Sequence, residues 1–356
     1  MPIIPVNEDG AVLYYEDSGT PLNSKDYHTV FLIHGFIFHS AIFRPLFAHA
    51  AAQNLRLISI NVREYPGSTP LSDEELARLV SRHPPEEARA LAEQGVEIAR
   101  FVAEMIKLER FPCPSVGEDG KKSGGVSILA WSLGNMYLLS MLGNLAMVDN
   151  DANDLLEKYV RSVIIYDPPC PVYGTPEPRG AYITLDDPSV PPERIVHAFI
   201  EWVSSYWEPF EDLDAVTEPA VAQQKNMVKL SSDPKVRPSS TRMSQAELEA
   251  VVYPPVGARI GHPGHISRDV VAVNARRSLF DTGGAWKHVK AVVLWGDMSC
   301  AYCPWGAKVL SEQLLVPPQD GEIRRDIEIV QLKKANHFLH YDEPERFVQL
   351  MTEWTR

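Results

Sequence analysis

The stretch VSILAWSLGNMYLLSMLGNLAMV, Val126 to Val148, decides the fold. It opens with a continuous apolar run, Val126 to Ala130, of the kind shown by a strand buried on both faces. Ala130-Trp131-Ser132-Leu133-Gly134 follows directly, and a helical apolar pattern begins behind it. A serine on such a tight strand-to-helix turn is held in strained backbone geometry, with its hydroxyl projecting outward. Strand and helix crowd there, so the positions two before and two after the serine must be small; they are Ala130 and Gly134. Ser132 is the candidate nucleophile, with Trp131 beside it as a candidate pocket residue. The helix beginning at Leu133 aims backbone N–H groups at developing negative charge. The same stretch approaches the length of a membrane span. Ser127, Ser132, Gly134, Asn135, Ser140, Gly143 and Asn144 interrupt it, however, so a buried strand and helix are expected and no membrane span.

Further apolar runs of strand length lie on either side: Thr29 to Ile33, Leu55 to Ile60, Val163 to Tyr166, Ala291 to Trp295 and Ile327 to Leu332. Alternating with helical patterns, they predict an α/β fold with a mostly parallel sheet covered on both faces. An opening hairpin, Ile3 to Val6 and Val12 to Tyr15, turns at Glu8-Asp9-Gly10, and Pro344 to Trp354 reads as a closing helix. Between Asp73 and Gly125 a long helix is expected over about Glu86 to Leu108, followed by a mobile polar loop, PSVGEDGKKSGG. The interval from about Cys170 to Gly284 is rich in Pro and Gly, carries an amphipathic helix near Pro192 to Trp207, and includes Trp202 as a candidate pocket residue. An insertion after a strand in an open α/β sheet lies beside the ligand crevice. The expected organisation is therefore core over 1–169, cap over 170–284 and core over 285–356.

Two more segments carry candidate chemistry. His34-Gly35-Phe36 follows the strand ending at Ile33, where the glycine lets the loop approach the serine turn; the Phe36 N–H can then join that of Leu133 in an oxyanion hole. His34 reads as a structural residue of that loop. Ala335-Asn336-His337-Phe338-Leu339-His340 follows the last strand, placing a histidine where a general base is needed. His337 is preferred over His340, which introduces a helix start.

These features resemble the α/β-hydrolase superfamily: LYYEDSG (Leu13 to Gly19), LIHGF (Leu32 to Phe36), AWSLG, VVLWGD (Val292 to Asp297) and ANHFLHYDEPERF (Ala335 to Phe347) occur in family order. The resemblance implies Ser132 as nucleophile, His337 as base, and Phe36 and Leu133 N–H groups as the oxyanion hole. Family members commonly carry the acid three residues after the glycine of a WG-x-x-D segment, and here that position is Ser299. Two aspartates can replace it. Asp167 ends the preceding strand and is fixed by Pro168 and Pro169, whereas Asp297 lies two positions too early. Asp167 is preferred, Asp297 is the alternative, and a dyad without an acid is the third option. Asn61 to Pro70 (NVREYPGSTP), YDPP at 166–169 and the cap are similar to fungal α/β-hydrolases of polyketide and toxin biosynthesis. That likeness implies acyl hydrolysis or transfer, including on acyl-CoA thioesters, and in some relatives an acid after the earlier strand.

Composition bounds the rest. A chain of 356 residues with 45% hydrophobic residues supports a large core, and a net charge of −13 with no basic cluster excludes a general nucleic-acid binder. Four cysteines are too few for a disulfide framework in a chain of this size. Cys300-Ala-Tyr-Cys303 reads as a pair of structural thiols near the acid loop, with a redox pair or half a zinc site as alternatives. In His262-Pro-Gly-His265, His265 is a further candidate for the pocket. Arg63 reads as a loop anchor. The expected function is hydrolysis of an ester or thioester of a bulky apolar, polyketide-like acyl group, without metal or organic cofactor. One rival is a condensation, cyclisation or elimination on the same fold; the other is a ligand-binding protein that has lost its chemistry. A cytoplasmic location is expected. Some relatives implied by the resemblance are peroxisomal, but the ending Glu-Trp-Thr-Arg does not match that address.

Overall fold

A computed structural model describes residues 2–118, 120–261 and 266–355. Eight strands form one sheet: β1 (Ile3–Pro5), β2 (Val12–Asp17), β3 (His28–Ile33), β4 (Leu55–Asn61), β5 (Val126–Trp131), β6 (Val160–Tyr166), β7 (Lys290–Gly296) and β8 (Ile327–Leu332). Their spatial order is β1-β2-β4-β3-β5-β6-β7-β8, with β2 antiparallel to both its neighbours and every pairing from β4 to β8 parallel. Strands β3, β4 and β5 are buried along their whole length, which is why they are rich in Val, Ile and Leu rather than alternating, although Arg56, Ser59 and Ser127 are buried among these apolar residues.

Helices cover the sheet in two groups. α1 (Pro84–Glu109), α2 (Asn135–Gly143) and α4 (Arg268–Leu279) pack on one another, while Arg44–Ala50 packs against the closing helix α6 (Pro344–Trp354). Between α2 and α4, Ser278 Oγ donates to the Leu139 carbonyl at 2.5 Å and Asn144 Nδ2 donates to Asn274 Oδ1 at 3.0 Å. α4, which lies within the interval 170–284 expected as a cap, thus packs in the flanking helical layer. The part of that interval before α4 contains α3 (Ile195–Val203) and several short helical turns. Within the polar loop, Ser115–Val116 pairs with Lys122–Ser123.

The stretch from Val126 resolves into β5, a turn at 132–134 and α2. Among the described residues no helix is long and apolar enough to cross a membrane.

Candidate active site

Parallel strands aligned in one sheet bring their carboxyl ends to one edge, and the loops leaving that edge carry the candidate nucleophile, base, acids and oxyanion-hole residues. Ser132 leaves β5, Asp167 leaves β6, Asp297 and Ser299 follow β7, His337 follows β8, and His34-Gly35-Phe36 follows β3.

Ser132 has φ +56°, the left-handed region that non-glycine residues rarely occupy. The turn is held by close backbone packing that only glycines permit. A Cβ on Gly134 would run into the His34 carbonyl oxygen, and one on Gly35 would stand 2.9 Å from Ser132 Cβ. The loop bearing Phe36 therefore abuts the serine turn. His34 holds that loop: its Nδ1 donates to the Gly35 carbonyl (2.8 Å) and its Nε2 accepts from Val62 N–H at 3.3 Å. Burial pushes the His34 pKa down to about 3, so the ring is neutral, as this donor–acceptor pattern requires. Arg63 anchors the neighbouring loop through the Thr69 and Pro70 carbonyls, Glu97 at 2.7 Å and Glu75 at 3.1 Å.

Asp167, with φ +44°, is fully buried. Its Oδ1 accepts from Gly296 N–H at 2.9 Å; its Oδ2 accepts from Ser299 Oγ at 2.6 Å and pairs with His337 Nδ1 at 2.5 Å. Because a carboxylate only accepts, His337 carries its proton on Nδ1, which leaves the Nε2 lone pair available. Asp297 is spent elsewhere. Its Oδ1 accepts from Ala335 N–H at 3.0 Å, bracing the turn before His337, and burial raises its pKa. His340 is a core residue, its pKa pushed well down by burial, with its Nδ1 3.4 Å from Tyr166 Oη and its ring against Trp131 and Phe338.

Ser132 and His337 open together on a cavity of about 110 Å³. Its apolar wall includes Ile183, Leu185, Phe199, Trp202 and Val203 from the insertion, with Cys300 and Cys303 on another side. Leu133 also borders a second cavity of about 250 Å³, lined by Phe36, Tyr65, Met136 and Tyr137 among others. Trp202 thus stands where a pocket residue was expected. Trp131 does not: it lines neither cavity, is 1% exposed, and donates its indole N–H to the His337 carbonyl at 2.9 Å. As the last residue of β5, Trp131 packs into the core against Phe38, Phe43 and Phe338. His265 lies outside the described residues.

The insertion is docked on the histidine loop. Asp342 accepts from Tyr206 Oη (2.8 Å) and Ser239 Oγ (2.7 Å) and pairs with Arg242, while Asn336 Nδ2 donates to the Ser204 carbonyl at 2.9 Å. On the other flank Arg259 pairs with the buried Glu64 at 2.6 Å. Sequence reasoning missed these anchors and the partnership of Ser299 with Asp167. The one available signal was Ser299 itself, standing where an acid was expected.

The sequence profile of the alpha/beta hydrolase family matches residues 30–350. The chain belongs to this family. No curated protein sequence matches it. Solved structures of the alpha/beta hydrolase fold align over nearly the whole chain. The esterase EaEST from Exiguobacterium antarcticum is 13% identical with a TM-score of 0.53, covering 99% of this chain and 98% of the esterase. A bromoperoxidase from Bacillus anthracis is 11% identical with a TM-score of 0.55, covering 99% of this chain and 98% of its own. The epoxide hydrolase VrEH1 from Vigna radiata is 13% identical with a TM-score of 0.53, covering 99% and 95%. At such identities the likeness is one of fold, and the chemistry of this alpha/beta hydrolase rests on its own residues.

Proposed function

We propose that this alpha/beta hydrolase cleaves an ester or thioester of a bulky apolar acyl group through an acyl-enzyme on Ser132. The observation that carries this reading is the His337 Nδ1–Asp167 Oδ2 hydrogen bond of 2.5 Å, which leaves Nε2 as a base in a cavity also lined by Ser132. Ser132 Oγ attacks the carbonyl carbon as His337 Nε2 takes its proton. The oxyanion is received by the N–H groups of Phe36 and Leu133, and His337 then protonates the leaving alcohol or thiol. Water, deprotonated by the same histidine, releases the acid. The aromatic and aliphatic wall supplied by the insertion supports an apolar, polyketide-like acyl group.

The test is hydrolysis of p-nitrophenyl esters and acyl-CoA thioesters of increasing acyl length by wild type, Ser132→Ala, Asp167→Asn and Asp297→Asn. Ser132→Ala and Asp167→Asn should each lose about 10³-fold or more in kcat/KM, and rates should rise with acyl length. Loss confined to Asp297→Asn would move the acid. A wild type inert on the whole panel would reject the reading.

A further inference from the structure

The Cys300-Ala-Tyr-Cys303 motif plays no part in that mechanism, yet it lies in the same cavity. We infer that Cys300 and Cys303 form a dithiol–disulfide couple in the wall of the acyl pocket, and that oxidation by a peroxide disables the Asp167–His337 pair.

The geometry suits a disulfide. Cys303 N–H donates to the Cys300 carbonyl at 3.0 Å, and Cys303 lies in the first turn of α5 (Tyr302–Leu315). A turn closed in this way holds its end Cα atoms within about 7 Å, overlapping the span of about 4.4–6.8 Å that a disulfide bridges. Both thiols are free and buried in the fold, yet both face the cavity, which gives a small oxidant a route to them; Cys170, also buried, does not line it.

One end of the new bond touches the acid, and the other is next in the chain to a residue that does. Cys303 Sγ lies 3.6 Å from His337 Nδ1 and donates to the Asp167 carbonyl at 3.3 Å. Cys300 follows Ser299, whose hydroxyl donates to Asp167 Oδ2 at 2.6 Å. A sulfur–sulfur bond of about 2.05 Å draws Cys303 Sγ off His337 and Asp167 and pulls on Ser299 through the chain. A zinc site on Asp167, Cys303 and His337 fits less well. Their ligand atoms lie within 4.8 Å of one another, but the carboxylate and imidazole close on each other at 2.5 Å. An ion held at about 2.0–2.3 Å from each ligand would have to part them.

The Cys303 thiol hydrogen is held by the Asp167 carbonyl at 3.3 Å and burial pushes that thiol well up, which leaves the first attack to Cys300. Its thiolate attacks one peroxide oxygen; the oxygen–oxygen bond breaks, a protonated hydroxide leaves as water, and Cys300 becomes a sulfenic acid. Cys303 sulfur then attacks that sulfur and expels the second oxygen as water. Two thiol hydrogens and one peroxide leave as two waters, and the sulfurs are oxidised by two electrons.

The loss of activity rests on the acyl-enzyme reading above; formation of the bond does not. The experiment uses Cys113→Ser protein, because Cys113 is exposed and would react on its own. After treatment with hydrogen peroxide, free thiols are alkylated and the protein is digested with trypsin. Cleavage after Lys290 and Lys308 yields Ala291–Lys308, which holds both cysteines. The expected peptide is unalkylated and two hydrogens lighter, and p-nitrophenyl ester hydrolysis falls by more than about tenfold. Dithiothreitol should reverse both changes. Adding Cys300→Ser should abolish the crosslinked peptide and the reversible loss, measured against that variant's own reduced rate. A peptide alkylated at both cysteines, a crosslink to Cys170, or a crosslink that leaves the rate unchanged overturns the inference. If the reduced protein hydrolyses no ester, the acyl-enzyme reading fails separately, and the peptide mass still upholds or rejects the couple.

Discussion

Ser299 stands where the family resemblance expects an acid, and its hydroxyl donates to the aspartate that pairs with His337 instead. Two strand ends, those of β6 and β7, therefore converge on the carboxylate oxygen that pairs with His337. This gives a prediction stricter than loss of function. Asp167→Asn should lower kcat/KM by about 10³–10⁴-fold, and adding Ser299→Asp should restore at least about tenfold of that loss by supplying a carboxylate from the β7 side. Ser299→Ala alone removes one donor to a buried carboxylate and should cost about tenfold. Steady-state kinetics on one p-nitrophenyl ester decide the matter, and a double variant no faster than Asp167→Asn would refute the convergence. The aspartate was legible because a strand end followed by two prolines is a local pattern. The Ser299 contact was not, since it joins positions 132 residues apart and leaves no trace in either segment.

Strands and their turns were read more securely than the packing of helices. Runs rich in apolar residues marked β3 to β5, whose burial on both faces favours such residues, whereas nothing local in the residues of α4 names the layer it packs on. That is why the cap interval, 170–284, took in α4, which packs on α2. Trp131 was misread for a related reason: adjacency to the nucleophile in the chain does not say which way the last residue of β5 faces. The serine turn itself depends on two glycines whose roles separate. In Gly134→Ala the new Cβ meets the His34 carbonyl, a backbone atom that cannot rotate aside, so the variant should lose more than about 2 kcal/mol of stability, read from its denaturant midpoint. In Gly35→Ala the Cβ meets the Ser132 side chain at 2.9 Å, so a folded protein with activity reduced about 10²-fold is expected. Equal stability of Gly134→Ala and wild type would mean that strand and helix do not crowd at the turn.

Over the whole molecule, burial has a consequence for pH that composition alone does not show. Burial pushes His28 and His34 down to about 3, His39 to about 4, and His340 well below the ordinary histidine value. Each group binds its proton less readily folded than unfolded, where the value is about 6.5. The unfolded chain therefore takes up more protons as pH falls from about 6.5 towards 3, and stability is lost in that direction by up to about 1.4 kcal/mol per pH unit per histidine. Buried acids oppose this, because desolvation raises Glu97, Asp297 and Asp342 and favours the folded state on acidification. Comparing two variants that share those acids cancels their effect. His28 is suited to this comparison: it begins β3, away from the strand ends that carry the site, and its ring nitrogens meet the Gly124 carbonyl at 2.9 Å and Ser127 Oγ at 2.8 Å. His28→Gln keeps hydrogen-bonding groups at the position but has no proton to gain. Between pH 7.5 and pH 5 wild type should lose about 2 kcal/mol more unfolding free energy than His28→Gln, measured by urea titration at both pH values. Equal losses in the two proteins would mean that His28 does not couple folding to protonation in this range.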